Sequence, residues 1–207
     1  MLKQACTLAL LAVSFTAFAT GTGKSGATDM AFGAISLSKT AVNKIHHSGM
    51  LQLDGVKVAN DTVVNGFLAA KNSQFHDISI NGQCQLENTE LLGPVSVNGQ
   101  LLLKNVNADA PITVYGFLGG RNTVSTKPIT VTSTNIDFID STLHDITIEP
   151  TKDHKQSLNL TRTKVSGEII FSGGDGLVRM DPASSVNKVT GAKIEKVAAK
   201  AEETRLR

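Results

Sequence analysis

A chain of 207 residues that is 41% hydrophobic and 18% charged, with a formal net charge of +2, has the composition of an ordinary folded protein of one or two domains. Those figures exclude collagen, a disulfide scaffold, a coiled coil and a disordered polyampholyte. One Tyr, eight Phe and no Trp also leave little for functions that stack sugars or bases on aromatic faces.

The chain begins with Lys3, an apolar run from Leu8 to Phe18, and the small-residue triplet Ala17-Phe18-Ala19. These are the three parts of a secretory signal peptide over residues 1–19, with cleavage before Thr20. No Cys sits at the cleavage point, so a lipid anchor is not expected, and no later segment has the length of a membrane helix. The mature chain is therefore expected to be periplasmic or secreted, without a transmembrane segment. Loss of Lys3 leaves 19 basic against 18 acidic residues, which gives no electrostatic reason to expect nucleic acid. Cys84 then stands alone, so no intramolecular disulfide is possible. Residues 20–34 are rich in Gly, Ser, Thr and Ala and read as a flexible leader.

From residue 35 to 185 the sequence repeats. Gly49, Gly66, Gly82, Gly99 and Gly116, then Ser133, Pro150 and Gly167, follow one another at spacings of 17, 16, 17, 17, 17, 17 and 17 residues. Two positions before the seven ends from Gly66 to Gly167 stand Val64, Ile80, Val97, Val114, Val131, Ile148 and Val165. Five before them stand Asp61, Asp77, Pro94, Pro111, Pro128, Asp145 and Arg162. Each period reads as a corner, a strand with alternate residues inward, and a turn. A second strand follows each early glycine, with Leu51/Leu53, Leu68/Ala70, Cys84/Leu86 and Leu101/Leu103 inward, and then the column Asn72, Asn88, Asn105 and Asn122.

A unit of about 17 residues with two or three strands cannot bury its own apolar face, but stacked copies can. The expected fold is all-β, a single-stranded parallel β-helix or β-solenoid with equal residues about 4.8 Å apart along its axis. Asn side chains in such a column can bond up and down it, since each amide has donors and an acceptor, and Asn tolerates a left-handed backbone. The competing reading makes Asn65-Gly66, Asn81-Gly82 and Asn98-Gly99 hairpin turns of an antiparallel sandwich. That accounts for the turns but not for the constant period or the proline column.

Between Asn135 and Lys155 the repeat weakens. Asn135, Asp137, Lys152 and His154 replace apolar residues at the positions two and four after Ser133 and Pro150. Because unpaired charges are rarely buried, the chain must bulge, shift phase to Ile136/Phe138 and Leu158/Leu160, or extrude a loop around Pro150 to His154. Asp137, Asp140, His144, Asp145, Glu149, Asp153 and His154 are accordingly the candidate partner surface. Residues 186–207 place Ile194, Val197, Ala198 and Ala201 on one face amid Lys and Glu. They read as a short C-terminal amphipathic helix or tail that caps the last coil.

The run Val97-Asn98-Gly99-Gln100-Leu101-Leu102-Leu103, repeated over residues 50 to 132, resembles the short solenoid of bactofilins, a family of polymer-forming bacterial scaffolds. The resemblance implies a parallel β-solenoid with a structural role and self-association.

Other motifs carry less. Gly21-Thr22-Gly23-Lys24-Ser25 has Phe18 where a phosphate-binding loop needs its first glycine. Gly173-Gly174-Asp175-Gly176 is one incomplete copy of a calcium-binding repeat and reads as a turn. His76 and His144 share a column four coils apart, too far to bind one metal. The column Ser79, Ser96, Thr113, Thr130 and Thr147 suggests surface binding, but its neighbours Asn81, Asn98, Tyr115, Thr132 and Glu149 form no uniform lattice. No catalytic, cofactor or metal residues are assigned. The expectation is a non-catalytic structural or protein-binding component of a bacterial envelope assembly, with envelope proteins or further copies as partners. Two alternatives share the secondary structure: a polysaccharide-active β-helix enzyme, and a lipid or glycolipid carrier with an open β-groove.

Overall fold

The computed structural model describes residues 28–152 and 155–197. Seventeen strands follow in chain order: β1 (Thr28–Ser38), β2 (Ala41–Val42), β3 (Ile45–Asp54), β4 (Lys57–Lys71), β5 (Gln74–Leu91), β6 (Val95–Ala108), β7 (Ile112–Arg121), β8 (Val124–Ser125) and β9 (Ile129–Thr132). They continue as β10 (Asn135–Ile139), β11 (Thr142–Leu143), β12 (Ile146–Ile148), β13 (Ser157–Thr161), β14 (Lys164–Phe171), β15 (Gly176–Met180), β16 (Ser185–Thr190) and β17 (Ala192–Lys196). Every pairing is parallel and joins a residue to its equivalent on the next coil, as in Gly82 to Gly99 and Gly99 to Gly116. The chain is a β-solenoid with coils of about 17 residues.

One coil explains the rest. After the corner at Pro94, Val95 and Val97 point inward, the chain bends at Gly99, and Leu101 and Leu103 point inward from the second side. Asn105 turns the chain with φ of 53°, and Val106 and Ala108 fill the third side. All six inward residues are buried, so alternation at period two becomes a closed core. Gly99 has φ of 139°, and a methyl group there would overlap the carbonyl oxygen of Gly82 below. The glycine column therefore answers both a backbone conformation and a close approach. The phase shift to Ile136/Phe138 is present: Ile136 pairs with Leu118, and the buried Phe138 ring lies where a Cβ on Gly120 would be.

Three expectations are corrected. Of the leader expected over residues 20–34, residues 20–27 lie outside the described residues, and residues 28–34 belong to β1, because Gly33 continues the glycine column opposite Gly49 and backbone pairing needs no apolar side chain. Residues 185–196 are not helical. β16 pairs with β14 and β17 with β15, so the free edge of the preceding coil outweighs helical spacing, and Ile194 stacks on Val178. Ala198 and Ala201 lie outside the described residues. Gly167 does not continue the glycine column either. Leu143 pairs with Val165 and Ile146 with Ile169, which puts Gly167 at the corner of His144 and Asp145.

Candidate functional site

The irregular coil runs from β9 to β13, and its left-handed corner continues that of the regular coils. Asn72, Asn88, Asn105 and Asn122 have φ of 50°, 51°, 53° and 50°, and the same corner is continued by Asp140 at 52° and Arg162 at 47°. Along the regular part each Asn donates its amide to the oxygen of the Asn one coil earlier, at 3.2, 2.9 and 3.0 Å, and Asn72 donates to Asp54 at 2.9 Å. Past Asn122 the column changes from amides to an ion pair. Arg162 donates from Nε and one terminal nitrogen to the two carboxylate oxygens of Asp140 at 2.5 and 2.9 Å.

A hydroxyl residue follows most of these corner residues and faces the interior. Ser73, Thr89, Thr123, Ser141 and Thr163 are buried and donate back to the carbonyl two residues earlier, at 2.6, 3.0, 3.4, 2.8 and 2.9 Å. Three of them also accept a backbone N–H from the coil before: Val56 to Ser73, Thr123 to Ser141 and Ser141 to Thr163. This inner ladder was readable as a hydroxyl directly after every corner residue from Asn72 to Arg162 except Asn105, and sequence reasoning missed it.

The third corner carries a motif that occurs twice. His76 Nδ1 lies 2.6 Å from the Asp77 carboxylate, and His144 Nδ1 lies 2.8 Å from that of Asp145. On the next coil Gly93 and Gly167 sit where a Cβ would collide with Asp77 or Asp145. Asp145 also accepts the Glu168 N–H at 2.7 Å. That backbone bond above all, with the His144 contact, outweighs partial burial and holds the Asp145 carboxyl below the usual carboxylate range. The Arg162 hydrogen bonds, assisted by its charge, do the same for Asp140.

The five described candidate residues, Asp137, Asp140, His144, Asp145 and Glu149, thus lie around the coil and do not form one patch. Asp137 lies on the second side in β10, where Asn135 donates to it at 2.8 Å and Asn159 at 2.6 Å. Asp140 is at the second corner, and His144 with Asp145 at the third. Glu149 follows β12, and its carbonyl accepts from Gln156 at 2.6 Å. Asp153 and His154 lie outside the described residues. The loop between β12 and β13 is an insertion: Asp137 and Asn159 are 22 residues apart, against 17 for Asn105 and Asn122. Beside it opens a cleft of about 570 Å³ lined by Lys155, Asp175, Leu177 and Lys193.

Among the described residues no group of three or more His, Cys, Asp or Glu is placed to hold a metal ion, and no helix is long and apolar enough to cross a membrane. No protein-family model matches the chain, and comparison with curated proteins and with solved structures yields no match either.

Proposed function

We propose that the chain is an exported, non-catalytic β-solenoid that serves as a structural or protein-binding component of a bacterial cell-envelope assembly. The observation that carries this reading is the use made of the acidic groups at the irregular coil. Asp137 is held by two Asn amides, Asp140 by Arg162, and Asp145 by a backbone N–H and His144. Each joins one coil to the next or braces its own strand, which is work of assembly and not of proton transfer. The core supports the same reading. From Ile45 to Val178 the interior is filled by buried side chains, mostly apolar with a line of hydroxyls at the corners, which leaves an acyl chain no room inside and speaks against a lipid carrier. The signal-like residues 1–19 lie outside the described part and contribute the expectation of export.

The test is fractionation of the native cell followed by cross-linking in the envelope. A periplasmic or secreted chain whose mass begins at Thr20, cross-linked in fixed proportion to one envelope protein or to further copies of itself, is the expected result. A chain that stays in the cytoplasm with its first residues intact, or a purified chain that cleaves a polysaccharide, would sink the reading.

A further inference from the structure

The regular coils present two unlike outer faces. Outward from the first side stand Ser79, Ser96 and Thr113 with Asn81 and Asn98. Outward from the second side stand apolar residues among glutamines: Met50, 44% exposed, and the half-buried Phe67, Ala69, Leu102 and Phe117. Successive coils bring Met50, Phe67, Gln83, Gln100 and Phe117 into one column and Ala69, Gln85, Leu102 and Gly119 into the next. Leu102 and Phe117 close over Gly119, where a Cβ would stand 3.1 Å from each. Beside the short Ala69 a groove of about 300 Å³ opens, lined by Gln85, Leu102, Lys71 and Lys104. The edge of this face toward the asparagine corner is basic. Asp54, Lys71, Glu87, Lys104 and Arg121 follow one another there on successive coils. Glu87 is held by Lys71 at 3.0 Å and by Lys104 at 2.6 Å, and Asp54 accepts from Asn72 at 2.9 Å. Asp140, one coil beyond Arg121, is already gripped by Arg162. The row keeps a surplus of positive charge beside exposed apolar surface.

We propose that this strip receives an amphipathic helix of a partner protein, with its apolar face on Phe67, Leu102 and Phe117 and an acidic flank on Lys71, Lys104 and Arg121. The proposal rests on the protein-binding reading given above and names the chemistry of the partner. The strip is two outward columns wide and, from Met50 to Phe117, four coil steps or about 19 Å long. A helix of about 13 residues has that length, and its width of about 10 Å covers both columns. An extended segment would gain no backbone hydrogen bonds here, because the middle strands of the strip, β5 and β6, are paired on both edges. A glycan would need rings to stack on, whereas Met50 and Leu102 are aliphatic and the two Phe are three coil steps apart. The groove at Ala69 seats one apolar anchor, and the basic edge selects the sign of the partner's charge.

The experiment titrates the purified full chain with a synthetic helix of about 14 residues, carrying Leu at i, i+3, i+4 and i+7 and Glu along one flank, and with a twin carrying Lys there. Fluorescence anisotropy is expected to show saturable binding of the Glu peptide and roughly tenfold weaker binding, or less, of the Lys twin. Leu102→Asp weakens the Glu peptide by roughly tenfold or more. Lys104→Glu does the same and strengthens the Lys twin. Thr113→Glu, on the first side, changes neither. If Leu102→Asp fails to fold, the reversal at the exposed Lys104 decides alone. Equal binding of the two peptides, or binding that neither variant touches, would overturn the proposal. So would binding of chitohexaose that Leu102→Asp abolishes, since the occupant would then be a glycan. The titration does not depend on where the chain resides. Failure here leaves the envelope reading standing, and success with a cytoplasmic chain sinks that reading alone.

Discussion

Arg162 and Asp140 lie 22 residues apart in sequence and face each other across one coil step, the guanidinium gripping both carboxylate oxygens at 2.5 and 2.9 Å. Both occupy the left-handed corner that Asn holds in the regular coils. The pair therefore locks the register across the insertion, because a slip of one residue would carry either side chain off the corner.

The core makes the simplest prediction. Val114 is fully buried, and Thr113 beside it is half-buried and faces outward. Val114→Asp strands a charge among apolar side chains and should cost roughly 3 to 5 kcal/mol. Thr113→Asp should cost no more than about 1 kcal/mol. Thermal melts of the two variants check the assignment, and equal losses would show that these side chains do not alternate as described.

Cys84 fills the position that Leu68 and Leu101 fill on adjacent coils, is fully buried, and has its thiol pushed up to about 12 by burial. A thiol reagent at neutral pH should label it slowly in the native protein and promptly in denaturant. Rapid native labelling would be incompatible with that site.

The backbone columns separate conformation from contact. Gly99→Ala puts a methyl group onto the Gly82 carbonyl and demands φ of 139° from an L residue, a loss of about 2 kcal/mol or more. At Asn105, with φ of 53°, a change to Gly forfeits the amide bonds to Asn88 and from Asn122, while a change to Val also strains the backbone by about 1 to 2 kcal/mol. Denaturant midpoints should fall in the order wild type, Asn105→Gly, Asn105→Val. Equal midpoints for the two variants would mean that the corner conformation carries no cost.

These same columns were legible in the sequence because each depends on one residue and its neighbour a constant distance away. Val97, Cys84, Leu101 and the Asn ladder all follow from a period near 17. Where the distance changes, the inference stops. Counting on by 17 placed Gly167 in the glycine column, but the insertion between Ile148 and Ser157 puts it over Asp145. Arg162 carries no local signal for a left-handed corner, and only Asp140 on the previous coil explains it. Ile194 and Val197 fit a helix by spacing alone, and the unpaired edge of β15 decides otherwise. The candidate residues were legible as interruptions of the core, yet their partners Arg162, Asn159 and the Glu168 N–H all come from the next coil. A single side of the irregular coil could not have been inferred without that register.

The same partners change what acid should do. Arg162 holds the Asp140 carboxyl below its usual range, and the Glu168 N–H with His144 holds Asp145 below its own. A lowered native value means that the unfolded chain binds more protons than the folded one once pH enters the usual carboxylate range. The stability these carboxylates contribute is complete above that range and is lost as pH falls through it toward the native values. Asp140 and Asp145 are partly exposed, so solvent screening keeps the Asp140 pair to about 1 kcal/mol or less. Replacing both with Asn should therefore lower the melting temperature near neutral pH by a few degrees. The deficit should shrink below the carboxylate range, where the wild type has lost the same contacts. Melting curves of both proteins across that range, at low and high salt, read the effect directly. A deficit that is constant with pH, or no deficit at neutral pH, would show that these contacts do not stabilise the irregular coil and would free Asp140 and Asp145 to serve a partner instead.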